Sequence, residues 1–205
     1  MKKRILSILL LCCMVLIMLP TTVLAADGPM DTIPKYDVSI DVYNRTSDIS
    51  IKDSRSYYIY SSVPDKLRDT WAWDKKIFIQ GDKAAPHVFI DGVNIKMSPS
   101  SKGPAIELNK KASAYLYFIG KDSTLQGADS RAAIQKNRSE GQLYVLARTG
   151  TTVTCKGGYR AAGIGGSWAI RNIGDSMFNM DMYGHGVNMH FGSQSNPDYW
   201  GGTIN

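Results

Sequence analysis

The sequence predicts an all-β solenoid built from repeated three-strand rungs, and three observations carry that expectation. From Tyr36 onward, short runs rich in Val, Ile, Tyr and Thr recur between Gly, Asp, Asn and Ser, with no amphipathic helix longer than two turns among them. Three segments then repeat one another in order: His87-Val-Phe-Ile-Asp-Gly-Val-Asn-Ile continuing to Gly103-Pro-Ala-Ile106; Tyr115-Leu-Tyr-Phe-Ile-Gly through Ser123-Thr-Leu-Gln-Gly to Arg131-Ala-Ala-Ile134; and Gln142-Leu-Tyr-Val-Leu through Gly150-Thr-Thr-Val-Thr to Arg160-Ala-Ala-Gly-Ile164. Equivalent isoleucines, Ile106, Ile134 and Ile164, lie 28 and 30 residues apart. Each repeat holds three strand-like pieces, as one rung of a parallel β-helix requires. The alternative is an antiparallel β-sandwich with evenly spaced strands, which has no need of three like-ordered segments.

The elements follow in chain order. Lys2, Lys3 and Arg4 precede an apolar run over residues 5–19, Pro20 breaks it, and Val23-Leu24-Ala25 presents a cleavage site before Ala26. The run is short for a membrane-spanning helix, which needs about 20 apolar residues. Residues 1–25 are therefore read as a signal peptide, 26–36 as a flexible linker and 37–205 as one β-helix domain. A secreted or cell-surface-associated protein with no transmembrane segment after cleavage is expected. Half of the formal charge of +6 sits in the signal, leaving +3 and no Lys/Arg block of the kind that binds nucleic acid. Cys12 and Cys13 lie inside the apolar run, so Cys155 remains without an internal disulfide partner. Its strand-like setting suits a small buried hydrophobe.

Strands are expected at 37–42, 48–51, 57–61, 76–80, 87–90, 94–97, 105–108, 114–119, 123–125, 132–135, 142–146, 151–155 and 161–164, and 65–71 as a loop or single turn. Three apolar ladders are expected: Ile106, Ile134 and Ile164; Phe89, Phe118 and Val145; Ile95, Leu125 and Val153. Ala105, Ala133 and Gly163 suit a tight inside corner. Residues 177–191 are Met-rich but still alternate. Asp181, His185 and His190 there make a weak metal set, and no metal or cofactor is expected. The final Gly201-Gly-Thr-Ile-Asn205 reads as the first half of a strand, belonging either to a truncated chain or to a cap on the stack.

The stretches Gly127-Ala-Asp-Ser-Arg-Ala-Ala-Ile134, Gly141-Gln-Leu-Tyr-Val and Gly150-Thr-Thr-Val-Thr-Cys-Lys-Gly-Gly-Tyr-Arg-Ala-Ala-Gly-Ile-Gly-Gly166 resemble the right-handed parallel β-helix repeats of Gram-positive cell-surface proteins, some described as carbohydrate-binding-domain proteins. The resemblance covers about residues 37–166 and implies a fold more than an activity. Through those relatives it implies a surface protein that binds polysaccharide or cell-wall glycan, and the acids discussed next add the expectation that it is non-catalytic.

The residues leave two other readings open. A polysaccharide lyase or hydrolase needs paired carboxylates or a Ca²⁺-binding acid cluster. The acids Asp91, Glu107, Asp122, Asp129, Glu140, Asp175 and Asp181 occur singly, mostly at turns. A ligand-free spacer or gene fragment needs no site at all. For binding, Trp71 and Trp73 are the leading candidates, since period-two spacing would put both indoles on one strand face. Arg131 and Arg160 hold equivalent places before Ala-Ala and would extend a basic strip.

Overall fold

A computed structural model of the chain describes residues 33–101, 103–109, 111–136, 141–159 and 161–165, with the backbone of 189–191 and 201–204. Along it run β1 (Val38–Asp41), β2 (Ile49–Ile51), β3 (Ser56–Tyr60), β4 (Ile77–Gln80), β5 (His87–Asp91), β6 (Asn94–Lys96), β7 (Ile106–Asn109), β8 (Ala114–Ile119), β9 (Ser123–Gln126), β10 (Ile134–Lys136), β11 (Leu143–Lys156), β12 (Ile164–Gly165), β13 (Met189–Phe191) and β14 (Gly201–Ile204). The segment read as a loop or single turn holds a short 3₁₀ turn, Asp65–Leu67. Among the described residues no helix is long and apolar enough to cross a membrane.

The described strands pair in parallel, each with its equivalent in the rung before and after, and a sandwich is not formed. The chain is a β-solenoid of about four turns with a spacing of about 29 residues. Each rung visits three faces in one order. The first face is β1-β3-β5-β8 and the opening of β11; the second is Trp73, β6, β9 and the end of β11; the third is β2-β4-β7-β10-β12. β13 and β14 pair in parallel with β11, so the closing Gly201–Ile204 does form strand.

Side chains alternate across a strand, so in-register stacking turns every second residue inward and files it above its equivalent. On the third face that file is Ile49, Ile77, Ile106, Ile134 and Ile164. It contains the expected ladder and extends it by two rungs. Beside it run Ile51, Ile79 and Leu108, all at most 1 % exposed. The corner entering this face is tight, as its small residues predict: Ala105 and Ala133 are fully buried, and a Cβ on Gly163 would lie 2.5 Å from the Cys155 carbonyl oxygen.

The other two expected ladders are corrected. Phe118 stacks between Ile90 and Ala147, and Val145 on Leu116, whereas Phe89 stacks between Tyr58 and Tyr117 in a separate cluster outside the core. Aligning Phe89 with Phe118 is a slip of one residue, which carries a side chain to the opposite side of a sheet. On the second face Ile95 and Leu125 are followed by Cys155, while Val153 stands over Ser123. The cause is the corner between the first and second faces. Glycines with left-handed φ turn it at Gly92 (61°) and Gly120 (66°), but the fourth rung takes one more residue between Ala147 and Val153 than the third takes between Phe118 and Ser123. The extra residue also merges two expected strands into β11.

Ile106→Ala opens a void between two neighbouring isoleucines and should cost about 2–5 kcal/mol in a urea titration. The Cys155 thiol is pushed by burial up to about 12 from an ordinary value near 9.0. The native thiol should therefore resist a thiol-specific reagent at pH 8 and react quickly once the chain is unfolded. Burying it in the protonated form favours the folded state fully below pH 9.0, and that contribution should be lost as pH rises through about 12.

Candidate functional site

The first face carries aromatic residues on both sides. In β3, β5 and β8 the inward positions are Tyr57 and Ile59, Val88 and Ile90, and Leu116 and Phe118. The intervening positions form three outer files: Ser56, His87, Tyr115 and Tyr144; Tyr58, Phe89 and Tyr117; Tyr60, Asp91 and Ile119. The rung repeat of about 4.8 Å matches the separation of stacked rings, so rings on neighbouring rungs stack in the file of His87, Tyr115 and Tyr144 and between Phe89 and Tyr117. His87 lies 4.7 Å from Tyr115, and Tyr115 lies 4.5 Å from Tyr144, with planes within 8°. Phe89 lies 5.0 Å from Tyr117, and Tyr58 stacks on Tyr60 at 5.1 Å and on Tyr36 at 5.2 Å. Such pairs contribute about 0.5–1.5 kcal/mol each beyond the area they bury.

Stacking decides what this surface can offer. Within the file of His87, Tyr115 and Tyr144 the ring faces cover one another, which leaves the ring edges as the part not covered by stacking. The half-buried His87, Tyr115 and Tyr144 make the most open file. Polar contacts hold the rings in place. His87 Nδ1 lies 3.1 Å from the Tyr117 hydroxyl, Tyr144 donates to Gln142 Oε1, and the Tyr58 hydroxyl donates to Asp91 Oδ2 at 2.9 Å. Burial, then the Asp91 carboxylate, pushes the Tyr58 phenol well above its ordinary value, and burial does the same to Tyr117.

The carboxylates have other work. Asp91 Oδ1 accepts the Lys121 amide at 2.9 Å, Asp48 Oδ1 the Lys76 amide at 3.0 Å, Asp122 Oδ1 the Thr152 amide at 2.7 Å and Asp129 Oδ1 the Tyr159 amide at 3.4 Å. Each bond joins a corner to the next rung, so these acids are staples between turns of the solenoid. Glu107 is held by Lys76 at 2.6 Å. Among the described residues no three His, Cys, Asp or Glu side chains gather as a metal site. Glu140, Asp175, Asp181 and His185 lie outside the described residues, and of His190 only the backbone is described, in β13.

The structure does not assemble the expected tryptophan–arginine site. Trp73 is 3 % exposed; it bridges to Ile95, and its indole donates to the Arg45 carbonyl at 2.7 Å. Trp71 is half-buried, packs on the core and meets Tyr43 edge-on at 5.4 Å. Neither indole is an open platform, because one is needed to fill the second face where that rung has a single bridge in place of a strand. Arg131 sits two rungs farther along, in the corner between β9 and β10, where its carbonyl accepts the Gly158 amide. Arg160 lies outside the described residues. The file of His87, Tyr115 and Tyr144 escapes a sequence reading that aligns the first face one residue out; the alternation His87-x-Phe89 and Tyr115-x-Tyr117 is the signal that finds it.

Comparison with protein-family models, with curated proteins and with solved structures finds no match. Trp73→Ala should therefore act on the fold: a loss of about 3–5 kcal/mol in chemical denaturation is expected, with any ligand affinity of the folded fraction unchanged.

Proposed function

We propose that this is a secreted or surface-associated, non-catalytic β-helix protein that binds carbohydrate on the outer side of its first face. The observation that carries the reading is the in-register file of His87, Tyr115 and Tyr144, with Tyr58, Phe89 and Tyr117 beside it. Sugars are held by planar polar groups that take their hydroxyls and by aromatic carbon that covers their apolar patches. His87, Tyr115 and Tyr144 repeat a ring edge with a polar atom on three successive rungs along the solenoid axis, which suits an extended glycan rather than a single sugar. The non-catalytic half of the reading rests on the sequence, where the acids occur singly; among the described ones Asp48, Asp91, Asp122 and Asp129 each hold a backbone amide of the next rung.

A ligand-free spacer is the second reading, favoured by the same stacking, which stiffens the surface whether or not anything lies on it. Native affinity electrophoresis through gels cast with single polysaccharides separates the two. Retardation in at least one gel is expected, and Tyr115→Ala combined with Tyr144→Ala should abolish it; the two lost stacks should also cost about 1–3 kcal/mol of stability, so mobility is compared at a temperature where circular dichroism shows the variant folded. Clearing of the glycan around the band would overturn the non-catalytic reading, and unchanged mobility in every gel would leave the spacer.

A further inference from the structure

We propose that Tyr115 and Tyr144 form an oxidative cross-linking site, at which a one-electron oxidant joins the two rings as dityrosine and ties the turn of β8 covalently to that of β11. The inference stands apart from the carbohydrate-binding reading. The two residues are in-register partners on neighbouring strands. Their ring centroids lie 4.5 Å apart with planes 6° from parallel, the closest and flattest ring pair among the described residues. Both residues are half-buried, so a small oxidant reaches them and the rings keep room to tilt together. His87 covers the other face of Tyr115 at 4.7 Å, which leaves Tyr144 as the phenol stacked on it. Gln142 Oε1 holds the Tyr144 ring by accepting a hydrogen bond from its hydroxyl.

The other aromatic pairs are less suited to coupling. Tyr58 stacks on Tyr60 at 5.1 Å and on Tyr36 at 5.2 Å, but it is 7 % exposed and its hydroxyl is held by Asp91 at 2.9 Å. Tyr117 stacks on Phe89 and on His87, neither of which is a phenol. At Tyr115 and Tyr144 the oxidant takes one electron from each phenol as its hydroxyl proton leaves to water. The two phenoxyl radicals join through a ring carbon beside each hydroxyl, and the hydrogen on that carbon returns to the oxygen, restoring both phenols. Two electrons and two protons are lost in all, and one hydrogen peroxide that takes them up becomes two waters. Among the described residues Cys155 is the only cysteine, so no disulfide can tie these turns. A carbon–carbon bond between residues 115 and 144 closes a loop of chain and so removes entropy from the unfolded state.

The test treats the purified protein, dilute enough to keep coupling within one chain, with a haem peroxidase and limiting hydrogen peroxide. The expected product is a monomer with dityrosine fluorescence and a mass lower by two hydrogen atoms. Trypsin should leave its residues 112–121 joined to residues 139–148, with fragment ions placing the bond on Tyr115 and Tyr144. Tyr115→Phe and Tyr144→Phe keep a ring in the stack but have no phenol to oxidise, and each should abolish the product. Tyr159→Phe, which alters the most exposed tyrosine described, at 66 %, should leave the yield unchanged. The linked protein should unfold about 5 °C or more above the parent. A bond between any other pair, coupling only between chains, tyrosine oxidation with no link, or a product that persists in Tyr115→Phe would overturn the inference. A linked protein that melts at the parent's midpoint would overturn the tie between turns.

Discussion

The in-register stacking of inward isoleucines on the third face is the constraint on which the rest of the solenoid depends. Ile49, Ile77, Ile106, Ile134 and Ile164 repeat one side chain at one place on successive rungs. Each buries itself on its neighbours above and below, so the apolar interior grows one layer per turn. A residue out of place would be out of place for two rungs at once, since shifting a strand by one position exchanges its inner and outer sets. This is why the repeat tolerates changes of length at corners and not along the strands. The fourth rung takes its extra residue between Ala147 and Val153, and stacking resumes beyond it with Cys155 over Leu125.

Corners and faces divide the polar work. At the corners Asp48, Asp91, Asp122 and Asp129 satisfy amides of the following rung, which would otherwise be turned away from any ladder partner. Gly120 shows how closely these contacts are fitted: with φ at 66°, it leaves room for the Asp91 carboxylate where a Cβ would lie 2.4 Å from its oxygen. With turns held this way, outward residues on the faces are released from structural duty. The first face uses that freedom for stacked rings.

The third face was legible in the sequence because its inward positions are branched aliphatics and its outward ones are polar or varied, as in Ile77-Phe-Ile-Gln80 and Ile106-Glu-Leu-Asn109. The first face was not. In Ala114-Tyr-Leu-Tyr-Phe-Ile119 both sides of the strand are apolar or aromatic, so alternation cannot distinguish inside from outside, and only the hydrogen-bond register decides. The same ambiguity hid the His87, Tyr115 and Tyr144 file and drew attention to Trp71 and Trp73, large rings that are scarce enough to look functional. Burial took Trp73 for the core, where the Arg45 carbonyl satisfies its one donor. The displaced Val153 was illegible for another reason: a single inserted residue at a turn leaves no trace in composition.

Most of the corner staples share a direction, the Val93 amide, which donates to Ser123 Oγ of the later turn, being an exception. In the bonds from Asp48 to Lys76, Ser54 to Ala85, Asp91 to Lys121, Asn94 to Thr124, Ser113 to Gln142 and Asp122 to Thr152, the acceptor side chain belongs to the earlier turn and the amide to the later one. A completed turn thus presents acceptors that the next stretch of chain can find as it arrives, and each addition closes a loop of only about one rung, a modest entropic cost. Through these bonds a finished turn is a mould for its successor, while the backbone amides that enter the third face run the other way, Ile77 donating to the Ala105 carbonyl and Ile106 to that of Ala133, so each turn is tied to the next from both sides.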